Sequence, residues 1–135
     1  MREILFRGKR LDNGVWITGA YHEAGGRHFI LPLPIVPPRI KVDPATVGQF
    51  TGLLDKHGKR IFEGDILDHH VQGNILVNRG VVNWDARNGR WAHQLNTMNP
   101  CFYMHNPDAF EVIGNIHDNP ELLKEGDTDG KERTE

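Results

Sequence analysis

The stretch Gln49-Phe50-Thr51-Gly52-Leu53-Leu54-Asp55-Lys56-His57-Gly58-Lys59-Arg60-Ile61-Phe62-Glu63-Gly64-Asp65-Ile66 decides the fold class. Its apolar runs are broken at intervals too short for helices. Residues 55–59 carry a turn signal, with Asp55 at the start and Gly58 where a positive φ is needed. Glu63-Gly64 marks a second break before Asp65-Ile66-Leu67-Asp68-His69. Strand, turn, strand, turn and strand in so short a span predict a compact β unit beginning at Thr46.

The same pattern continues on both sides. Toward the N-terminus, Asp12-Asn13-Gly14 is a hairpin-turn signal between Ile4-Leu5-Phe6 and Val15-Trp16-Ile17-Thr18-Gly19-Ala20-Tyr21, and Arg27-His28-Phe29-Ile30-Leu31 follows the Gly25-Gly26 turn. Residues 32–44 hold five of the eight prolines and predict an extended connector, because each proline fixes φ and removes a backbone donor. Within it, Pro34-Ile35-Val36-Pro37-Pro38-Arg39 has the spacing of a polyproline ligand, although Ile35 and Val36 read better as anchors onto the protein's own core.

Toward the C-terminus, Ile75-Leu76-Val77 and Val81-Val82-Asn83-Trp84 read as strands separated by Asn78-Arg79-Gly80. Arg90-Trp91-Ala92-His93-Gln94-Leu95, Cys101-Phe102-Tyr103-Met104 and the segment Phe110-Glu111-Val112-Ile113-Gly114-Asn115-Ile116 follow. Asn119-Pro120-Glu121-Leu122-Leu123-Lys124 alone reads as helical, with Asn119 as N-cap and Pro120 at the first position. Residues 125–135 contain no apolar side chain and read as a disordered tail. The expectation is a mostly β protein. It has an N-terminal β-hairpin region and connector over 1–45, a small β-barrel or SH3-like unit over 46–124 with one short C-terminal helix, and an acidic tail over 125–135.

Composition agrees. The chain has 135 residues, of which 38% are hydrophobic, and 15 glycines with 8 prolines disfavour long helices. A single cysteine, Cys101, excludes an intrachain disulfide framework. With no signal-peptide pattern at the start and no apolar run of spanning length, this predicts a soluble intracellular protein of a reducing cytoplasm, without membrane contact.

The quoted stretch resembles the YopX family of phage and prophage proteins, whose recurring phrase there is Q-[YF]-T-G-L-x-D-x-x-G-x-x-[IV]-[YF]-E-G-D-[IV]. Two further blocks agree in order: Met1-Arg2-Glu3-Ile4-Leu5-Phe6-Arg7, and Glu111-Val112-Ile113-Gly114-Asn115-Ile116-His117-Asp118-Asn119-Pro120-Glu121-Leu122-Leu123. After Phe6-Arg7 the family often continues with Ala-Trp, whereas this chain has Gly8-Lys9. The resemblance implies a mostly β, barrel-containing fold in a self-associating phage or prophage protein of the bacterial cytoplasm, and no established activity. It supplies no catalytic residues, because the shared positions look like turn glycines and core anchors.

No reaction chemistry stands out from the residues. Gly52 and Gly58-Lys59 are one residue too far apart for a phosphate-binding loop, and no Ser or Thr follows Lys59. Glu63 and Asp65 would share a face of an extended strand as an acid/base pair, yet Gly64 between them reads as a turn. His69, His70, His93, His105 and His117 cluster with Cys101 in the C-terminal half, but no metal-binding spacing joins them. A Cys101 nucleophile would need His93 or His105 as base, and next to Phe102 it reads as a small core residue. Neither a cofactor nor a metal is implied, and the expectation is a non-enzyme, with a metal-dependent hydrolase that uses Glu63 and Asp65 or a histidine-bound metal as the least favoured alternative.

Charge is more informative than its total. The net value of −2 divides into +5 over residues 1–60 (ten Lys/Arg, five Asp/Glu), −5 over 61–123 (three against eight) and −2 over 124–135 (three against five). Opposite halves suit complementary contacts, within one molecule or head-to-tail between copies, and the expectation is a homo-oligomer that acts by binding a host or phage protein. Alternatively, Arg2, Arg7, Lys9, Arg10, Arg39 and Lys41 form a nucleic-acid-binding patch, on which aromatics such as Trp16, Trp84, Trp91, Phe102 and Tyr103 can stack bases.

Overall fold

A computed structural model describes residues 3–32, 39–71, 75–87, 89–94, 102–103 and 109–123. Eleven antiparallel strands dominate them: β1 (Phe6–Lys9), β2 (Trp16–Ala24), β3 (Arg27–Pro32), β4 (Ile40–Lys41), β5 (Gly48–Leu54), β6 (Arg60–Phe62), β7 (Asp65–Val71), β8 (Ile75–Asp85), β9 (Arg90–Gln94), β10 (Phe102–Tyr103) and β11 (Phe110–Asn115). Contacts divide the chain into two compact units, Met1–Gly52 and Leu53–Glu135, so the division falls inside β5. The composition boundary at 45/46 lies on the 3-10 turn Pro44–Thr46 just before that strand.

In the first unit the strands run in the order β4-β3-β2-β1-β5. The hairpin turn expected at Asp12-Asn13-Gly14 is present: Arg10 N–H donates to the Val15 carbonyl, and Asn13 Oδ1 accepts from Val15 N–H. One face of this sheet carries the fully buried Ile30 and Val42. Strands β2 and β3 approach so closely that a Cβ on Gly19 would lie 1.9 Å from the Leu31 carbonyl oxygen. Strand β4 lies within the Pro-rich connector, where no central strand was expected; it is two residues long and forms the sheet edge, as proline-rich sequence permits. The sheet also curls. The end of β4 meets the end of β1 through one bridge, Arg10↔Val42, flanked by Leu11 N–H to the Lys41 carbonyl and Asp43 N–H to the Lys9 carbonyl. Isolated, that bridge makes a seam and not a closed barrel.

The second unit holds the five-stranded sheet β10-β9-β8-β7-β11. Its core is Ile61, Leu67, Val82 and Phe110, against which Leu53, Trp91 and Val112 pack. Among the described residues this order has two edges and no closed barrel, so the barrel or SH3-like unit expected over 46–124 is not borne out. Closure would require another strand on the outer edge of β11, and the turn at residues 55–59 occupies that edge. Lys56 N–H donates to the Phe110 carbonyl, and Asp55 Oδ2 accepts from Val112 N–H at 3.0 Å.

Two further expectations are corrected. Residues 75–77 and 81–84 belong to one strand, β8, because Arg79 pairs with Asp68 on β7 and the buried Gly80 faces Leu67, which overrides the local turn signal. The C-terminal helix is a single 3-10 turn, Pro120–Leu123. Leu122 N–H bonds the Asn119 carbonyl, and the Leu122 carbonyl, which a continuing α-helix would use, accepts from Arg79 Nη1. Asn119 does not cap that turn with its side chain; its Oδ1 accepts from Asn115 N–H behind it. The tail at 125–135, Lys124 and most of the polyproline-like segment lie outside the described residues. Among the described residues, no helix is long and apolar enough to cross a membrane.

Candidate anion-binding face

Strand register determines which basic residues meet. Arg7 and Lys9 lie two apart on β1, so they share a face. Their partners on β2 are Thr18 and Trp16, and alternation along β2 carries that face to His22. His22 pairs with Phe29 on β3, and Phe29 pairs with Lys41 on β4. Arg39 has the parity of Lys41, and its guanidinium carbon lies 4.0 Å from the Phe29 ring centroid. Four of the six basic candidates, Arg7, Lys9, Arg39 and Lys41, therefore stand on one face, opposite to that of Ile30 and Val42.

The seam then brings the two pairs together. Leu11 and Lys41 face each other across it, as do Lys9 and Asp43. Lys9 and Lys41 are thus diagonal neighbours across one antiparallel contact, a relation that places side chains about 7–8 Å apart at the backbone. Asp43 is the acidic residue on this seam, and its Oδ1 is engaged by Ala45 N–H at 3.0 Å as the cap of the 3-10 turn. Trp16 lies in the middle of the basic group, with the Arg7 guanidinium 4.7 Å and the Lys9 ammonium 5.5 Å from its ring centroid. These are cation–π distances, and they fix the cations on a half-buried aromatic surface.

The other two candidates differ. Arg10 has the opposite parity and forms a two-pronged ion pair with Asp12, at 2.9 and 2.7 Å; these hydrogen bonds raise the Arg10 pKa and lower that of Asp12. Arg2 lies outside the described residues. On the opposite face, the Tyr21 hydroxyl hydrogen-bonds His28 Nδ1. Burial, followed by the charge of Glu23, raises the Tyr21 pKa.

The acidic candidates serve the backbone. Asp65 is 2% exposed, and its Oδ2 accepts from Phe62 N–H at 2.7 Å. Gly64, at φ 92°, donates its N–H to the Val82 carbonyl and accepts at its own carbonyl from Ile116 N–H. Glu63-Gly64-Asp65 is a structural turn and not a strand that presents two carboxylates together. Asp55 has a similar role. Its Oδ1 takes N–H bonds from His57 and Lys59 at 2.8 and 2.9 Å, and its Oδ2 takes that of Val112. Burial pushes the Asp55 carboxyl up, but the bonds from Val112, Lys59 and His57 outweigh it and leave the pKa below its ordinary value.

Of the histidine cluster, His69 stacks on Phe110 with ring centroids 4.7 Å apart, and a register shift separates it from His70. His117 belongs to a turn in which Asn115 Oδ1 accepts the N–H groups of His117 and Asp118. Cys101 and His105 lie outside the described residues, as does the side chain of His93. Among the described residues no three His, Cys, Asp or Glu side chains come together as a metal site.

Neither Phe29 nor His22 stands out at this face from local sequence alone. The signal that finds them is the hairpin register, since alternation from Trp16 along β2 leads to His22 and its cross-strand partner.

Comparison with known proteins agrees with this fold. The chain is similar to the crystal structure of protein EF1440 from Enterococcus faecalis, with a TM-score of 0.56 and 23% sequence identity over 92% of this chain and 100% of that one. At that identity the likeness bears on the fold alone. No curated protein matches the chain. The YopX protein family model matches residues 17–124, well over half of the chain, and the chain belongs to that family.

Proposed function

We propose that this protein is a non-enzymatic binding module that takes a nucleic-acid backbone on the basic face of its first unit. One observation carries the reading: strand register and the β1–β4 seam bring Arg7, Lys9, Arg39 and Lys41 from two distant segments onto a single sheet face. Cations grouped this way suit a chain of phosphates, and the overall charge of −2 does not oppose it because the first unit is locally basic, with seven Lys/Arg against four Asp/Glu over residues 1–52. The test is anisotropy of a labelled oligonucleotide with the full chain at several salt concentrations. Binding that weakens steeply with salt, with a slope reduced by about one for each of Lys9→Gln and Lys41→Gln, supports the reading. No binding at low salt overturns it.

A second reading, a self-associating module that binds a protein partner, draws on the second unit. There Ile75 and Leu76 are 52% and 51% exposed, and Trp84 is 48% exposed. Such apolar exposure favours contact with another copy or with a host or phage protein. Sedimentation at two salt concentrations tests it, and a monomer under both conditions counts against it.

A further inference from the structure

Resting on the nucleic-acid reading above, we infer that the ligand is a single strand whose bases stack on the basic face at Trp16 and at the Arg39 guanidinium.

Two aromatic positions coincide with the cations. Trp16 is held by Arg7 and Lys9, and Phe29 lies beneath Arg39 with the exposed His22 ring 6.1 Å away. Phe29 is only 5% exposed, so the surface offered there is the plane of the guanidinium and not the phenyl ring. Guanidinium planes and indole rings both stack unpaired bases, and each point has a lysine nearby, Lys9 at the first and Lys41 at the second. Cations two residues apart on a strand repeat at about 6.6–6.8 Å, which lets successive phosphates be followed along β1 and again along β4.

The bases of a duplex are not open to stacking on this face. Reading its major groove requires a helix or a protruding two-stranded ribbon that carries the recognition residues. These cations lie on the face of a sheet, whereas the tip of the β2–β3 ribbon at Gly25-Gly26 carries Glu23 and Arg27, one charge of each sign.

The experiment compares three probes against the full chain at one salt concentration: a labelled oligo(dT), a mixed-sequence duplex of equal length, and inorganic polyphosphate as a competitor without bases. The single strand is expected to bind at least about tenfold more tightly than the duplex. Trp16→Ala should lose about fivefold to a hundredfold for the single strand and clearly less for the duplex and polyphosphate, which lose only the hold of the indole on Arg7 and Lys9. Trp16→Phe, which keeps a ring, should recover most of that loss and separates stacking from folding if the alanine variant does not fold. Equal binding of strand and duplex, with both variants indifferent, overturns the stacking inference while leaving a phosphate-binding face intact. Binding to none of the three probes overturns the underlying reading as well.

Discussion

Replacing Asp55 separates the local from the long-range part of one buried carboxylate. The residue is 5% exposed, and its two oxygens have different tasks: Oδ1 ties the turn through His57 and Lys59, whereas Oδ2 ties that turn to Val112 on the outer edge of β11. A hydrogen bond to a charged group contributes roughly 1.5–3 kcal/mol. His57 and Lys59 are exposed, so water replaces much of what their N–H groups lose, and the bond to Val112 dominates. Asp55→Asn keeps an oxygen for the turn but turns an amide toward Val112 N–H, at an expected cost of about 1.5–3 kcal/mol. Asp55→Ala removes all three bonds and should cost about 3–5 kcal/mol, or roughly 10–20 °C in Tm for a domain of this size.

Acid dependence supplies a second readout. Because the folded pKa lies below the unfolded one, this carboxylate stabilises the fold fully above its unfolded value of about 3.9. That contribution is lost as the pH falls through the folded value. Urea titrations of the wild type and both variants at neutral and acid pH check it, and both variants should have a flatter acid limb. An alanine variant within about 1 kcal/mol of wild type, or an asparagine variant as unstable as alanine, would refute the division of roles.

Further perturbations follow the same logic. Gly19→Ala places a Cβ where the Leu31 carbonyl already lies, so β2 and β3 must separate; we expect a loss above about 3 kcal/mol and reduced amide protection along both strands by hydrogen exchange. Arg79→Ala leaves the Asp68 carboxylate buried without its 2.6 Å partner, at a cost of about 3–5 kcal/mol by chemical denaturation, and adding Asp68→Asn should recover a substantial part. Gly114→Ala should destabilise the turn after β11, because its Cβ would meet Asn119 Oδ1 at 2.6 Å; proteolysis near residues 115–119 should accelerate.

The roles of the short motifs were legible because they are local. The Asp55 turn and the Glu63-Gly64-Asp65 break each close on neighbours within a few residues, through Asp55 Oδ1 and Asp65 Oδ2, and turn chemistry reports that part directly. Strand identity was also legible wherever alternation was unbroken. It failed at Asn78-Arg79-Gly80, where a turn-like composition is kept within the strand by pairing with Asp68 and its neighbours on β7. Four residues at 120–123 looked helical by their cap and proline, but one turn cannot outweigh the nucleation cost once Arg79 takes its carbonyl.

By itself the sequence determined the β class, the Asp12-Asn13-Gly14 and Asp55–Lys59 turns, the family and the basic character of the N-terminal half, since each depends on composition or on residues close along the chain. Only the tertiary structure decided that the second sheet, among the described residues, has two edges, and that Arg7 and Lys9 share a face with Arg39 and Lys41 while Arg10 does not. The physical reason is register. Which face a side chain occupies is fixed by pairing between distant strands, and a shift of one residue reverses it.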